Sequence, residues 1–254
     1  LPGYVYAVKD NQVYVNLYLS NKAELIINKK KVVLEQETGY PWNGDIRVKV
    51  AQGNQEFALK LRIPGWVRNE VLPSDLYSYA DNQKPTYRII VNGQETANTL
   101  NNGYLSIERK WKKGDVVKIH FDMLPRIVKA NEKVVDDKGR VSVERGPIVY
   151  CAEWPDNKCN VHTVLLNQHP QFKVVEKPEL LYGISQLKTD AQALSYDKNG
   201  KLITKDTELT LIPYYAWAHR GEGDMEVWLP IDVSAASALP QEVQKWEDNG
   251  FFKN

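Results

Sequence analysis

The sequence predicts an all-β protein made of two consecutive antiparallel β-sandwich domains, jelly-roll-like in type, followed by a short C-terminal helix. Three observations support this prediction. Apolar and polar residues alternate with a period of two in many short runs, as at residues 13–19. Turn-forming pairs such as Asn92-Gly93 separate these runs. A helical pattern is convincing only near the C-terminus, which argues against βαβ units and favours sandwiches.

The first predicted sandwich covers residues 1–124 and contains about eight short strands. A polar, Tyr-rich insertion at about residues 67–85 interrupts the series. The predicted strands of this domain are 13–19, 23–28, 31–38, 45–50, 56–63, 87–91, 104–107 and 115–121.

The second predicted sandwich covers residues 125–230, and the tail 231–254 is expected to hold the helix. The predicted strands are 140–144, 147–152, 161–166, 172–176, 208–212 and 225–229. In the tail, residues 234–246 read as a helix because Ser237 can cap it, Pro240 suits a first turn, and Val243 and Trp246 share one face.

Bulk composition excludes several classes of function. Thirty-three Lys and Arg residues balance 32 Asp and Glu residues, so a nucleic-acid partner is not expected. The apolar runs are strand-sized, so no membrane partner is expected either. The chain starts with LPGYVYAVKD, without Met and without a secretory signal, which indicates a processed or truncated piece.

Residue spacing predicts neither a metal site nor a catalytic site in this chain. The two cysteines, Cys151 and Cys159, and the four histidines are scattered without a ligand-type pair. Cys151 lies in an apolar strand, where a cysteine usually behaves as a small hydrophobe. A Cys151–Cys159 disulfide is left open, because spacing does not decide it. No nucleophile elbow or phosphate loop is present, and Gly221-Glu-Gly223 is interpreted as a turn.

Carboxylate pairs are the remaining catalytic candidates. Glu144 and Glu153 bracket one predicted strand, and Asp224 and Glu226 flank another. With 32 acids in the chain, a pair at a suitable spacing is not evidence by itself. The favoured interpretation places these acids on solvated strand faces.

Aromatic clusters beside Pro or Gly are the more informative feature. Trp42, Trp66, Tyr214 and Trp217 are the candidates for carbohydrate contact, because such rings can line a sugar site. The same rings could instead plug the ends of a sandwich or dock on a neighbouring domain. Docking and plugging is the favoured interpretation, because Trp and Tyr are enriched at interfaces.

Several segments in a shared order give the chain a family resemblance. They are 4–7, 17–20, ETGYPW at 37–42, LRIPGW at 61–66, 91–93, 103–109, 111–115, RVSVERGPIVYCAE at 140–153 and LIPYYAWAHRG at 211–221. Together they make the chain resemble the C-terminal region of glycoside hydrolase family 127, which is known for β-L-arabinofuranosidases. The insertion at 67–85 and the tail after Pro230 fall outside the resemblance.

The resemblance implies a larger parent enzyme with an N-terminal (α/α)6 catalytic domain followed by two β-sandwiches. That family's site holds zinc on three Cys and one Glu, with a cysteine as nucleophile and a Glu as acid/base. Two of these cysteines are adjacent and would precede Leu1. No such role transfers to a residue of this chain, so zinc is implied only for the parent's catalytic domain.

The sequence therefore predicts an accessory region of a retaining glycoside hydrolase that acts on L-arabinofuranosides or related plant or glycoprotein glycans. The (α/α)6 domain is the expected partner, a homodimer is left open, and the resemblance suggests a periplasmic or secreted location. Two alternatives remain: an independent carbohydrate-binding module, and a structural or partner-docking β protein.

Overall fold

The computed structural model describes residues 2–81, 83–96 and 99–236, and it confirms the all-β prediction. A four-residue helix, α1 (Pro2–Val5), precedes the strands. The strands are β1 Tyr6–Lys9, β2 Gln12–Val15, β3 Asn21–Ile27, β4 Lys30–Thr38, β5 Asp45–Gln52, β6 Asn54–Arg62, β7 Tyr77–Tyr79, β8 Tyr87–Val91, β9 Gln94–Glu95, β10 Leu100–Asn101, β11 Tyr104–Lys112, β12 Val116–Phe121, β13 Pro125–Ala130, β14 Arg140–Arg145, β15 Ile148–Glu153, β16 Val164–Leu166, β17 Lys173–Lys177, β18 Ile184–Tyr196, β19 Leu202–Pro213, β20 Met225–Glu226 and β21 Leu229–Pro230. Within the described ranges, no helix has the length and apolar character needed to cross a membrane.

The chain divides into two compact units. The first consists of Leu1–Pro73 and Asn82–Leu124, and the second of Ser74–Asp81 and Pro125–Asn254. The segment Ser74–Asp81 therefore belongs to the second unit, although the first unit flanks it on both sides in the sequence.

The first unit contains two sheets. One has the strand order β1-β2-β6-β11-β10, and the other has the order β3-β4-β5-β12-β8-β9. All pairs are antiparallel except β2 with β6, which are parallel and so depart from the purely antiparallel prediction.

Strict alternation builds the core of this unit. On β5, Ile46, Val48 and Val50 are buried while the intervening side chains face outward. Trp111 is fully buried, and its indole N–H donates to the Phe57 carbonyl over 3.0 Å. A buried polar group needs such a partner, so this bond lets the sheet bury its largest side chain.

The second unit is built on one branched sheet of ten strands. The main order is β16-β18-β19-β15-β14-β13-β7, and β17, β20 and β21 pair with β18, β15 and β14 respectively. Val143 on β14 and Val164 on β16 belong to the same buried cluster, although their strands are far apart in this order. The sheet therefore curls around this main core, which gives the sandwich-like packing, and a smaller buried cluster of Cys151, Ile184, Ile212 and Ala216 lies apart from it.

The longest strand, β18, is one that alternation does not predict. Ser185, Gln186 and Thr189 are buried on it, so polar residues occupy positions where the pattern would require apolar ones. Ser185 and Gln186 can be buried because their side chains find hydrogen-bond acceptors: Ser185 donates to Glu176, and Gln186 donates to Asp156 over 3.2 Å.

The predicted C-terminal helix at 234–246 lies mostly outside the described residues. Of that segment only residues 234–236 are described, and Val233–Ala235 forms a single 3-10 turn capped by the Asp232 side chain, which accepts from the Ser234 N–H.

Candidate functional site

A short aromatic turn follows β19 and presents three large rings to solvent. We call Tyr214–Trp217 the aromatic turn; it consists of the 3-10 helix Tyr214–Ala216 and its C-terminal neighbour. Tyr214, Tyr215 and Trp217 are 44%, 52% and 39% exposed. The Tyr214 and Trp217 rings are nearly parallel, with an angle of 9° and centroids 6.2 Å apart. Two of the four predicted contact residues are thus brought together on an open surface.

Local sequence explains why the turn forms here. Pro213 ends β19 with a φ of −56°, and the Trp217 N–H donates to the Tyr214 carbonyl over 3.2 Å. Ala216 is the inward residue of the turn, and it packs in a small buried cluster with Cys151 and Ile212. A small side chain facing inward leaves its larger neighbours facing outward.

A buried ionic group holds the end of the aromatic turn. The Arg220 guanidinium donates to the carboxylates of Glu153 and Asp156, the latter through both terminal nitrogens. The Glu153 side chain is 1% exposed, and it also accepts the Ala218 N–H over 3.0 Å. Hydrogen bonding to Asp156, joined by that to Glu153, raises the pKa of Arg220. We call Glu153, Asp156 and Arg220 the anchor.

Burial of Glu153 contradicts the interpretation that it sits on a solvated strand face. The residue ends β15, and its partner comes from the segment after β19; β15 and β19 pair antiparallel, with Tyr150 opposite Pro213. Arg220 stands in the LIPYYAWAHRG segment. A lone Arg close after an aromatic cluster is the sequence signal that could have indicated a buried ion pair here. Sequence spacing does not show which acid it meets.

Glycine makes room for a neighbouring ring. A Cβ added to Gly223 would lie 2.0 Å from Cδ1 and 2.1 Å from Nε1 of Trp154. Gly221 has a φ of +108°, a conformation that favours glycine. The 221–223 turn therefore passes directly over the Trp154 indole, which supports its interpretation as a structural turn.

Cys151 lies beneath the aromatic turn as a buried thiol. Desolvation, followed by the nearby Glu153 and Asp156 charges, raises the pKa of Cys151 to about 12. A thiol with such a pKa is almost wholly protonated at neutral pH, which does not suit a cysteine nucleophile. Cys159 is also described as a thiol, so no disulfide bond joins the pair.

The zinc site implied by the resemblance does not fit this chain. Its two cysteines cannot supply three cysteine ligands. In the described part of the chain, no three His, Cys, Asp or Glu side chains are placed to hold a metal ion.

The other two predicted contact residues belong to the first unit. Trp66 is 7% exposed, its indole N–H donates to the Tyr40 hydroxyl over 3.2 Å, and its ring packs edge-on against Phe121. This ring closes the core of its unit and offers little surface to a sugar. Trp42 is 42% exposed and follows the Gly39 turn, so it is accessible.

A second buried arginine lies at the β7 edge of the second unit. The Arg126 side chain is 4% exposed, pairs with Asp81 over 2.9 Å and stacks on the Tyr79 ring at 3.4 Å. The Tyr79 hydroxyl donates to Glu144 over 3.0 Å. Burial raises the pKa of Glu144. This network attaches Ser74–Asp81 to its sheet.

The fold and these segments define a β region of a carbohydrate-active family. Residues 12–123 match the family model for the β-L-arabinofuranosidase, GH127 middle domain, and residues 125–230 match that of the glycoside hydrolase family 127 C-terminal domain. The chain therefore belongs to glycoside hydrolase family 127.

Individual relatives are β-L-arabinofuranosidases or related enzymes. The chain is 28% identical over 245 residues to the non-reducing end β-L-arabinofuranosidase of Bifidobacterium longum subsp. longum, covering 89% of this chain and 34% of that protein. A solved GH127 β-arabinofuranosidase is 79% identical with a TM-score of 0.92, covering 94% of this chain and 38% of that one. A GH127 β-L-arabinofuranosidase from Geobacillus stearothermophilus T6 is 32% identical with a TM-score of 0.78, covering 90% and 35%. The chain thus spans little more than a third of the length of these relatives.

Proposed function

We propose that this chain is the accessory β region of a retaining glycoside hydrolase that releases L-arabinofuranosyl residues from plant or glycoprotein glycans. The reacting groups belong to a separate catalytic domain of the same protein, expected to be an N-terminal (α/α)6 barrel with a zinc-bound cysteine. The two β units support that domain and do not carry out the bond cleavage.

One observation carries the proposal: the chain matches the middle and C-terminal domains of the family while spanning 34–38% of the length of its relatives. The state of Cys151 agrees with it. A cysteine nucleophile needs a stabilised thiolate, whereas the buried Cys151 thiol has its pKa raised to about 12.

The experiment compares the 254-residue chain with the protein encoded by its whole reading frame. We expect the upstream sequence to encode a helical domain with two adjacent cysteines. With p-nitrophenyl β-L-arabinofuranoside and zinc, the whole protein should release p-nitrophenol and the 254-residue chain should not. In the whole protein, proton NMR should detect the β anomer of arabinose first, as retention requires.

Cys151→Ala in the whole protein is the matched control. Its turnover should stay unchanged, because Cys151 is assigned to the core of the second unit. Hydrolysis by the 254-residue chain that disappears in Cys151→Ala would overturn the proposal, and so would a reading frame without an upstream domain.

The aromatic turn supports a second candidate function, carbohydrate binding by the chain itself. Tyr214 and Trp217 present parallel, partly exposed rings, an arrangement that suits contact with the C–H face of a sugar. The same rings could instead dock on the catalytic domain. Titration of the 254-residue chain with arabino-oligosaccharides, followed by Trp fluorescence, separates these roles. Sugar binding predicts a saturable change that Trp217→Ala removes and that Trp42→Ala, the equally exposed control, retains.

A further inference from the structure

A loop of the second unit presents a fully exposed tyrosine on an unusual backbone. Between β17 and β18, Leu181, Tyr182 and Gly183 have φ values of +48°, +65° and +95°, all in the left-handed region. Large side chains such as Leu and Tyr rarely adopt this conformation, and such outliers cluster at functional sites. Tyr182 is 104% exposed, so its ring meets solvent on both faces. We call Pro178–Gly183 the tyrosine loop.

Hydrogen bonds and two inward leucines hold the tyrosine loop in place. The Leu180 N–H donates to the Lys177 carbonyl over 3.2 Å, and the Gly183 N–H donates to the Leu180 carbonyl over 2.8 Å. The side chains of Leu180 and Leu181 pack against the small buried cluster that contains Ala216, the inward residue of the aromatic turn. Because the leucines face this cluster, the next ring along the chain is directed to solvent.

The tyrosine loop and the aromatic turn therefore flank the same buried cluster, and together they form an aromatic surface. Its four rings, each at least 39% exposed, are Tyr182, Tyr214, Tyr215 and Trp217. A Tyr or Trp side chain buries about 150–250 Å² when it is covered, so at these exposures the rings offer roughly 400–500 Å² to a partner. Interfaces between domains of one chain bury about 600–1,500 Å² in total. The aromatic surface matches one side of such an interface.

Rigid support suits the aromatic surface to binding. The anchor fixes the end of the aromatic turn through the Ala218 N–H, and the inward leucines fix the tyrosine loop. Groups that are held in place before association lose little conformational entropy when they bind. Tyr and Trp are also among the side chains that contribute most to the stability of protein interfaces. The four rings are therefore pre-organised for a protein partner.

We propose that the aromatic surface docks on the catalytic domain of the same protein, with Tyr182 inserted into an apolar pocket between that domain's helices. The identity of this partner rests on the proposed function, and two observations favour it over a glycan. Stacking on a sugar uses one ring face and leaves the other to be supported by the protein, whereas both faces of Tyr182 are exposed, which suits insertion into a pocket. The chain spans only 34–38% of the length of its relatives, so the remainder of the protein is a tethered partner at high effective concentration.

Hydroxyl-radical footprinting of the 254-residue chain and of the whole protein tests the proposal. Tyr182 should be labelled about fivefold or more slowly in the whole protein, because a docked ring is withdrawn from water. The rings of the aromatic turn should be protected with it. Ile203, which is 43% exposed on β19 of the same unit, is the control and should be labelled equally in both proteins. Equal labelling of Tyr182 in the two proteins would overturn the proposal.

The variant Tyr182→Asn separates docking from a local structural role. Asparagine tolerates the left-handed backbone, so the Tm of the 254-residue chain should stay the same or rise slightly. In the whole protein the lost contact should lower the Tm by roughly 4–8 °C. Ile203→Asn is the matched control, and its effect on the Tm should be the same in both proteins.

Two results with Tyr182→Asn count against docking. One is an equal change of the Tm in both proteins. The other is saturable binding of arabino-oligosaccharides to the whole protein that Tyr182→Asn removes, which would assign the aromatic surface to a glycan. None of these readouts requires hydrolysis. Protection without hydrolysis would contradict the proposed function alone, and hydrolysis without protection would contradict docking alone.

Discussion

Arg220→Met tests whether the anchor holds the aromatic turn. The change keeps an unbranched side chain but removes the guanidinium, so Glu153 and Asp156 lose their shared cation. Their side chains are 1% and 8% exposed, and that of Arg220 is 19% exposed. Water therefore has little access to take over the lost hydrogen bonds.

The burial of the anchor sets the expected magnitude. Breaking a buried ion pair by removing one partner costs about 3–5 kcal/mol, because it leaves an uncompensated buried charge. For a unit of this size, that corresponds to a fall in Tm of roughly 10–20 °C. The comparison is the exposed pair of Lys188 and Glu208, whose side chains are 30% and 58% exposed in the same unit. Lys188→Met should cost about 1 kcal/mol or less.

Differential scanning calorimetry measures the cost, and amide hydrogen exchange read by mass spectrometry locates it. In Arg220→Met, protection should fall in peptides covering 148–156 and 211–221 and stay unchanged in peptides covering 104–121 of the first unit. A loss of stability no larger than that of Lys188→Met would refute the assignment of the anchor. So would unchanged exchange at 211–221.

Three further predictions concern other positions. Gly223→Ala should destabilise the second unit by roughly 1–3 kcal/mol in urea unfolding, because the new Cβ meets the Trp154 ring. Trp111→Ala should cost about 3–5 kcal/mol in the first unit by the same measurement, whereas a cost below about 1 kcal/mol would contradict its core role. Glu144→Gln should remove a pH dependence. Burial raises the pKa of Glu144 above its usual 4.5, so the folded state binds its proton more tightly and loses stability as the pH rises through this raised pKa. The variant should therefore gain more over the wild type at pH 7 than at pH 4 in urea unfolding, and an equal gain at both would contradict this.

Alternation identified much of the fold because most strands bury one face. Strand β5 illustrates this, since each buried residue is apolar and each outward residue is polar or small. The pattern failed where the core accepts polar side chains. On β18, Gln186 and Thr189 are buried through hydrogen bonds or close packing, and on β13 the buried Arg126 stands where an apolar residue would signal a strand.

The candidate site was only partly predictable for a related reason. Tyr214 and Trp217 were singled out because rings beside Pro stand out in the sequence, and the structure places them side by side. Trp66 carries the same local signal but is buried, since neighbours distant in sequence decide exposure. Glu153 was misjudged because acids are usually solvated, and its partner Arg220 lies 67 residues further along the chain.

The strand β7 has a consequence for how this region can be inherited. Ser74–Asp81 is encoded within the first unit but completes the sheet of the second, where Tyr79 meets Arg126 and Glu144. The matched C-terminal domain begins only at residue 125. A recombination event at that boundary would remove the edge strand β7 from the second unit. The buried Arg126 would then lose its contact with the Tyr79 ring. The two units are therefore expected to be exchanged between proteins as one cassette, even though each has its own core.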